Sequence, residues 1–221
     1  MPIRLDQRLM KIACLIDRGS VADIGCDHGK LGYYLVSTDR ASKVVATDIS
    51  KPSLEKAIQL AHENGVDGQI ETRLGDGLNP VESGEVDTVV IAGMGGDTIA
   101  KILQEAKEQN KVFQHFVLAP NTHAEKVRRQ LLDCGHTIDY DDVLECAGKT
   151  YTIIKTHFGE SSLDEMQIKY GVFFRTSETF ARRAREELEG LKAIEKASGT
   201  SSLKEKISAL ETVVKMTEKA D

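Results

Sequence analysis

The chain reads as an α/β protein: a mostly parallel sheet of seven strands followed by an α-helical hairpin. Three observations predict it. From residue 20 to about residue 157, short runs rich in Val and Ile alternate with helix-patterned stretches. That order gives a parallel sheet covered on both faces. Turns bearing glycine or aspartate close four of these runs, where an open α/β sheet gathers its ligand crevice. Beyond Gly159-Glu160-Ser161-Ser162 the strand patterns stop and charge-rich helical sequence takes over.

The elements follow in order. Leu5, Leu9, Ile12 and Ile16 recur at helical spacing, so residues 4–17 are expected to open the fold as a helix, with Arg4, Arg8 and Lys11 on another face. Strands are expected at 20–24, 43–47, 68–73, 86–92, 113–118, 135–145 and 150–157. Helices are expected near 29–38, 52–64, 97–108 and 123–134. Pro52 after Ser50 suits a helix first turn, and Asp97 after Gly95-Gly96 suits a cap. The last two strands flank Gly148 closely and read as a hairpin, which makes one of them antiparallel. In the tail, Phe173, Phe174, Phe180, Ala184, Leu188, Leu191 and Ile194 form one stripe. A turn at residues 198–202 separates it from a second stripe, Leu203, Ile207, Leu210 and Val214. Two amphipathic helices so joined pack as an antiparallel hairpin. The expected division is residues 1–158 for the sheet domain and 159–221 for the hairpin. With so short a heptad pattern, the expected state is a monomer without an obligate protein partner.

Composition narrows the function classes. The 221 residues carry a net charge of −6, so any nucleic-acid contact must come from local basic patches. Five aromatic residues in every hundred and no Trp argue against a broad base-stacking surface. Cys14, Cys26, Cys134 and Cys146 lack paired metal-ligand spacing and read as reduced, mostly buried thiols. No metal site is expected. No signal segment or long apolar run is evident, which points to a cytoplasmic protein with no membrane contact.

The chemistry concentrates at the four turns. The first is Asp23-Ile24-Gly25-Cys26-Asp27-His28-Gly29. The second strand ends in Asp48-Ile49, whose acid suits ribose hydroxyls. In Gly75-Asp76-Gly77, the carboxylate suits an adenine amine, although such a tripeptide is also an ordinary turn. The fourth is Ile91-Ala92-Gly93-Met94-Gly95-Gly96. A nicotinamide dinucleotide would place pyrophosphate against bare backbone at the first turn. Asp27-His28 puts a carboxylate there, which repels phosphate and suits a sulfonium cation instead. The set resembles the class I S-adenosylmethionine-dependent methyltransferases and their Rossmann-like sheet. Their first motif is commonly Asp/Glu-x-Gly-x-Gly-x-Gly; Asp23, Gly25 and Gly29 match, and Asp27 replaces the middle glycine. Asp27 either holds the cofactor ammonium or caps its own loop.

A narrower resemblance rests on these turns together with Arg73-Leu74-Gly75-Asp76-Gly77-Leu78, Leu118-Ala119-Pro120-Asn121 and Lys149-Thr150-Tyr151-Thr152-Ile153-Ile154. In this order they resemble the bacterial tRNA (adenine-N1)-methyltransferase family that modifies adenosine 22 of the D arm, the TrmK family. Residues 1 to about 158 carry the likeness. Cys26 stands where the family often has a small polar residue, and Ala119 where it often has Gln. The resemblance implies the sheet order 3-2-1-4-5-7-6, S-adenosyl-L-methionine as cofactor and tRNA as partner. It implies cofactor contacts at Asp23, Gly25, Cys26, Asp27, Gly29, Asp48, Ile49, Gly75, Asp76, Gly77, Ala92, Gly93 and Met94. For the reaction it brings forward Asp27, His28, Asn121 and Arg8. N1 of adenine attacks through an in-plane lone pair, so in-line positioning is the main task and a carboxylate such as Asp27 steadies the growing positive charge. His28 is either a substrate hydrogen-bonding group or a loop-packing residue. Asn121 is either an adenine-edge reader or the cap of the helix over 123–134. Gly93-Met94-Gly95-Gly96 stands where enzymes methylating exocyclic amines carry Asn/Asp-Pro-Pro-aromatic, which disfavours an N6 product.

Exposing the target base has to be driven by phosphate contacts. Three groups are candidates: Arg4, Arg8 and Lys11; Lys126, Arg128 and Arg129; and Arg175, Arg182, Arg183 and Arg185. For each, a solvated helix face is the competing explanation. Two other functions compete: methyl transfer to a small metabolite, and a non-catalytic RNA-binding scaffold.

Overall fold

The computed structural model describes residues 4–198 and 203–218. Its strands are β1 (Gly19–Ile24), β2 (Ala41–Asp48), β3 (Ile70–Leu74), β4 (Thr88–Ala92), β5 (His115–Ala119), β6 (His136–Cys146) and β7 (Lys149–Phe158). They form one seven-stranded sheet in the order β3-β2-β1-β4-β5-β7-β6, the order the family resemblance implied. All pairs from β3 to β5 are parallel, while β7 runs antiparallel to both β5 and β6. The β6–β7 hairpin turns at Ala147 and Gly148, both at positive φ (50° and 72°), as a tight two-residue turn requires.

The helices are α1 (Gln7–Leu15), α2 (Lys30–Ser37), α3 (Lys51–Glu63), α4 (Gly96–Glu108), α5 (Ala124–Asp133), α6 (Glu165–Tyr170), α7 (Glu178–Ser198) and α8 (Lys204–Thr217). The first is shorter than 4–17 because Asp6 caps it, accepting from the Leu9 amide at 2.7 Å. Ser50 caps α3 and Pro52 sits in its first turn, as expected. Asp97 is not the cap of α4. That place falls to Gly95, and the Asp97 carboxylate pairs with His123 and Lys126.

Alternation along the strands sorts the core onto the two faces. Val90 and Val117 join Ile12, Leu35, Val44 and Ile153 beneath α1, α2 and α3. Val89, Ile91 and Leu118 join Ile99, Leu103 and Val127 beneath α4 and α5. A third cluster lies in the tail, where Phe174 and Ala184 meet Leu210, Val213 and Val214, with Phe180, Leu188 and Leu191 half-buried around them. Of the expected first stripe, Phe173 and Ile194 are exposed. The turn expected at 198–202 lies almost wholly outside the described residues.

The short helix α6 was not expected. It docks through a buried ion pair. Arg128 on α5 donates to both oxygens of Asp141 on β6, at 2.7 and 3.0 Å. Arg128 also donates to the Ile168 carbonyl, and Asp141 accepts from the Val172 amide. Among the cysteines, Cys26 is buried, Cys134 and Cys146 are intermediate, and Cys14 is exposed, against the expectation that they are mostly buried. No described helix is long and apolar enough to cross a membrane.

Candidate active site

The four turns stand at the carboxyl ends of β1, β2, β3 and β4, and hydrogen bonds chain them together. The Gly25 and Cys26 amides donate to the Thr47 carbonyl, at 2.8 and 3.0 Å. The Asp27 amide donates to Oδ2 of Asp48 at 3.1 Å, while Oδ1 accepts from the Ser50 amide at 2.8 Å. The Gly75 amide donates to the Asp48 carbonyl. Asp48 therefore fixes the first, second and third turns relative to one another. The fourth is held from β5: the Asn121 amide donates to the Met94 carbonyl, and its side-chain Nδ2 donates to the Gly93 carbonyl, both at 2.8 Å.

These turns enclose a cavity of about 570 Å³. Of the residues singled out from sequence, it is lined by Arg8, Asp23, Gly25, Cys26, Asp27, His28, Asp48, Ile49, Gly75, Asp76, Gly77, Ala92, Gly93 and Met94. Two stand outside it. Gly29 is the left-handed cap of α2, where a Cβ would lie 2.8 Å from that of Ala57, so it serves the packing of α2 on α3. Asn121 is exposed and does not cap α5, whose first flanking residue is His123; it braces the glycine turn from behind. Leu9, Lys30, Leu31, Thr47, Thr98 and Ile102 also line the cavity and were not foreseen. Thr47 had a signal in the sequence, as a hydroxyl inside an otherwise apolar strand.

The wall has the electrostatics of a cation receptor. Asp23 is buried, and its Oδ2 has no hydrogen-bond partner among the described residues. Burial, then the charge of nearby Asp48, pushes its pKa up to about 7. Thr47 Oγ1 is likewise buried and unpartnered. Two unsatisfied polar atoms lining one cavity are costly unless a ligand pairs with them. Burial, reinforced by Asp23 and Asp48, also raises the Cys26 thiol, which keeps it a neutral wall group. Gly25, at φ 71°, leaves room for Met94: a Cβ there would lie 2.3 Å from the Met94 methyl.

At the mouth, Asp27 takes a φ of 52° and directs a largely exposed carboxylate outward. Its Oδ1 lies 3.4 Å from Nε2 of His28, and that nitrogen lies 3.0 Å from Nζ of Lys56. One ring nitrogen therefore meets both a carboxylate and an ammonium. Across the mouth, the half-buried Arg8 stacks over the Tyr151 ring, 5.2 Å from its centroid. Its guanidinium reaches Gly93, where a Cβ would lie 3.4 Å from an Nη atom.

The other basic groups fare unequally. Lys11 stacks over Tyr140. The set on α5 is not a free basic patch: Lys126 pairs with Asp97, Arg129 with Glu165, and Arg128 is buried against Asp141. In the tail, Arg175 pairs with Asp164 and Arg182 with Glu145.

Residues 5–154 match the model of a methyltransferase domain. The chain is 35% identical over 159 residues to the tRNA (adenine(22)-N(1))-methyltransferase of Bacillus subtilis, covering 72% of this chain and 67% of that protein. A Streptococcus pneumoniae protein solved in complex with S-adenosyl-L-methionine superposes with a TM-score of 0.84 at 28% identity, over 96% of this chain and 100% of that one. The structure of the Bacillus subtilis tRNA methyltransferase TrmK gives a TM-score of 0.80 at 28% identity, over 98% of each chain.

Proposed function

The chain belongs to the methyltransferase-domain family and within it to the tRNA (adenine(22)-N(1))-methyltransferases, and from that premise we propose that it methylates N1 of adenosine 22 in the D arm of tRNA, using S-adenosyl-L-methionine. The observation that carries the reading is the unpartnered, buried carboxylate of Asp23 in a cavity walled by Asp48, Asp76 and the Gly93 turn. A cavity that concentrates carboxylates and withholds hydrogen bonds from one of them suits a ligand bearing ammonium and sulfonium groups.

The residues fit that cofactor. Asp48 keeps one oxygen lone pair free on each carboxylate atom for ribose hydroxyls. Ile49, 73% exposed at the rim, offers an apolar face to a purine. Asp76 is exposed at the third turn and accepts from its amine. Asp23, Thr47 and the glycine turns at Gly25 and Gly93 serve the methionine end. When bound, S-adenosyl-L-methionine supplies an electrophilic methyl group on a sulfonium sulfur.

What remains for the chain is to bring the adenine edge-on and to steady the charge that the base acquires. N1 needs no deprotonation, so alignment is the larger contribution. Asp27, at the mouth, faces the incoming ring and stabilises its developing positive charge. His28 presents its ring at the mouth as a hydrogen-bonding group for the base. Asn121 acts through the fourth turn, holding Gly93 and Met94 in place by its side-chain and backbone amides. Arg8, held on Tyr151, meets a substrate phosphate. The enzyme works in the cytoplasm and as a monomer; the packing of most of the α7 stripe against α8 supports the monomer.

Incubation with methyl-labelled S-adenosyl-L-methionine and unmodified bulk bacterial tRNA, followed by nucleoside mass spectrometry, tests the reading. The expected product is 1-methyladenosine in the D arm, lost in Asp27→Ala while cofactor binding persists. A different methylated nucleoside overturns the choice of atom. Transfer to no RNA, with cofactor binding intact, overturns the choice of substrate in favour of a small metabolite.

A further inference from the structure

Beside the cofactor cavity lies a shallower groove of about 220 Å³, lined by His28, Lys30, Lys56, Gln59, Leu60 and Glu63. His28 and Lys30 line both, so the two spaces are continuous. On nearby β2 and β3, Lys43 and Arg73 each have a carboxylate partner, Glu71 for both and Glu85 in addition for Arg73. Lys30 and Lys56 are exposed and neither has a carboxylate partner among the described residues; the ammonium of Lys56 rests on the His28 ring. Lys30 is moreover the first residue of α2, a helix with no acid in its first turn. A cation there opposes the helix dipole. Glu63, at the groove's edge, accepts from Gln59.

We infer that this groove is a phosphate subsite, in which Lys30 and Lys56 hold the polynucleotide backbone next to the nucleotide that enters the cavity. The inference rests on the tRNA reading of the site. An ammonium bonded only to an imidazole is a donor ready for a stronger, anionic acceptor, and two lysines outweigh the single Asp27 carboxylate that lies 3.4 Å from the same imidazole nitrogen. When a phosphate takes Lys56, Nε2 of His28 is released at the mouth. The groove and Arg8 then grip the substrate from opposite sides of the opening, and contacts of this kind supply the energy for extruding a base.

The test measures tRNA affinity by filter binding over a salt series, and S-adenosyl-L-methionine affinity by calorimetry, for Lys30→Met, Lys56→Met and the corresponding arginine variants. Each methionine variant is expected to weaken tRNA binding on the order of tenfold and to lower the slope of log K against log salt by about one. The arginine variants are expected to restore both, with cofactor affinity unchanged in the variants of Lys56, which lies outside the cofactor cavity. An unchanged tRNA affinity overturns the subsite. So does a loss of cofactor affinity that matches the loss on tRNA, since the lysines then serve the cofactor. Failure of the wild-type chain to methylate tRNA, with Lys30- and Lys56-dependent binding retained, sinks the proposed reaction and leaves the groove standing.

Discussion

At the scale of single residues, Asp23 makes the sharpest prediction. Its folded pKa of about 7 lies above the unfolded value of 3.8. Between those values the folded chain keeps a proton that the unfolded chain has released. Stability without ligand therefore falls as pH rises from about 4 to 7, then levels off. Asp23→Asn removes the ionisation, so its melting temperature is expected to lose this slope and to exceed that of the wild type at pH 8. If Asp23 is the anionic partner of the cofactor proposed above, the same change is expected to lower affinity on the order of 10- to 100-fold, the scale of a charged hydrogen bond. A variant stabilised at pH 8 but unimpaired in binding would show that Asp23 is no ligand. Gly25→Ala gives a second expectation: it strains the turn at a φ of 71° and displaces the Met94 methyl that lines the cavity, so calorimetry should find cofactor binding weakened. Glycines and acids at strand ends were legible as a group. The separate parts taken by Gly29 and Asn121 were not, since each depends on a neighbour distant in sequence, Ala57 and Gly93.

At the scale of elements, the centre of the sheet could be read because β1, β2, β4 and β5 are largely buried and carry short runs of Val, Ile, Leu and Ala. The hairpin was legible for a local reason, the glycine between two short strands. What escaped was the seam between the sheet and the tail. Helix α6 spans only Glu165–Tyr170, too few residues to show a helical period. The pair that anchors it joins a helix residue to a strand residue across the fold. In sequence, Arg128 looked like one more surface cation, yet its side chain is 4% exposed and that of Asp141 1%. Removing one partner strands the other charge in the interior. Asp141→Ala is expected to cost about 3–5 kcal/mol in denaturant unfolding. Arg128→Met combined with Asp141→Leu should recover much of that loss, because no lone charge remains. A double variant as unstable as the single one would mean that the backbone groups of Ile168 and Val172, rather than the charges, depend on the pair.

At the scale of the whole molecule, a chain of net charge −6 must hold a polyanion through cations that its own carboxylates have not neutralised. That criterion sorts the basic residues more finely than their spacing does. Arg129 is engaged by both oxygens of Glu165, whereas Arg185 has no ion-pair partner among the described residues. Arg185 lines a polar groove of about 600 Å³ at the base of α7, with Arg175 and Arg182 beside it. The β6–β7 hairpin links this groove to the cofactor mouth, since Arg182 holds Glu145 on β6 while Tyr151, near the start of β7, carries Arg8. A tRNA lying along that hairpin would meet the tail cations and the mouth cations at once. Arg185→Glu is therefore expected to weaken tRNA binding several-fold and to reduce its salt dependence, with cofactor affinity unchanged. Arg129→Glu, equal in charge change, should do markedly less, because it removes a cation already paired. Equal losses in the two variants would mean that tRNA responds only to the overall charge of the protein, and that the tail groove is not a docking surface.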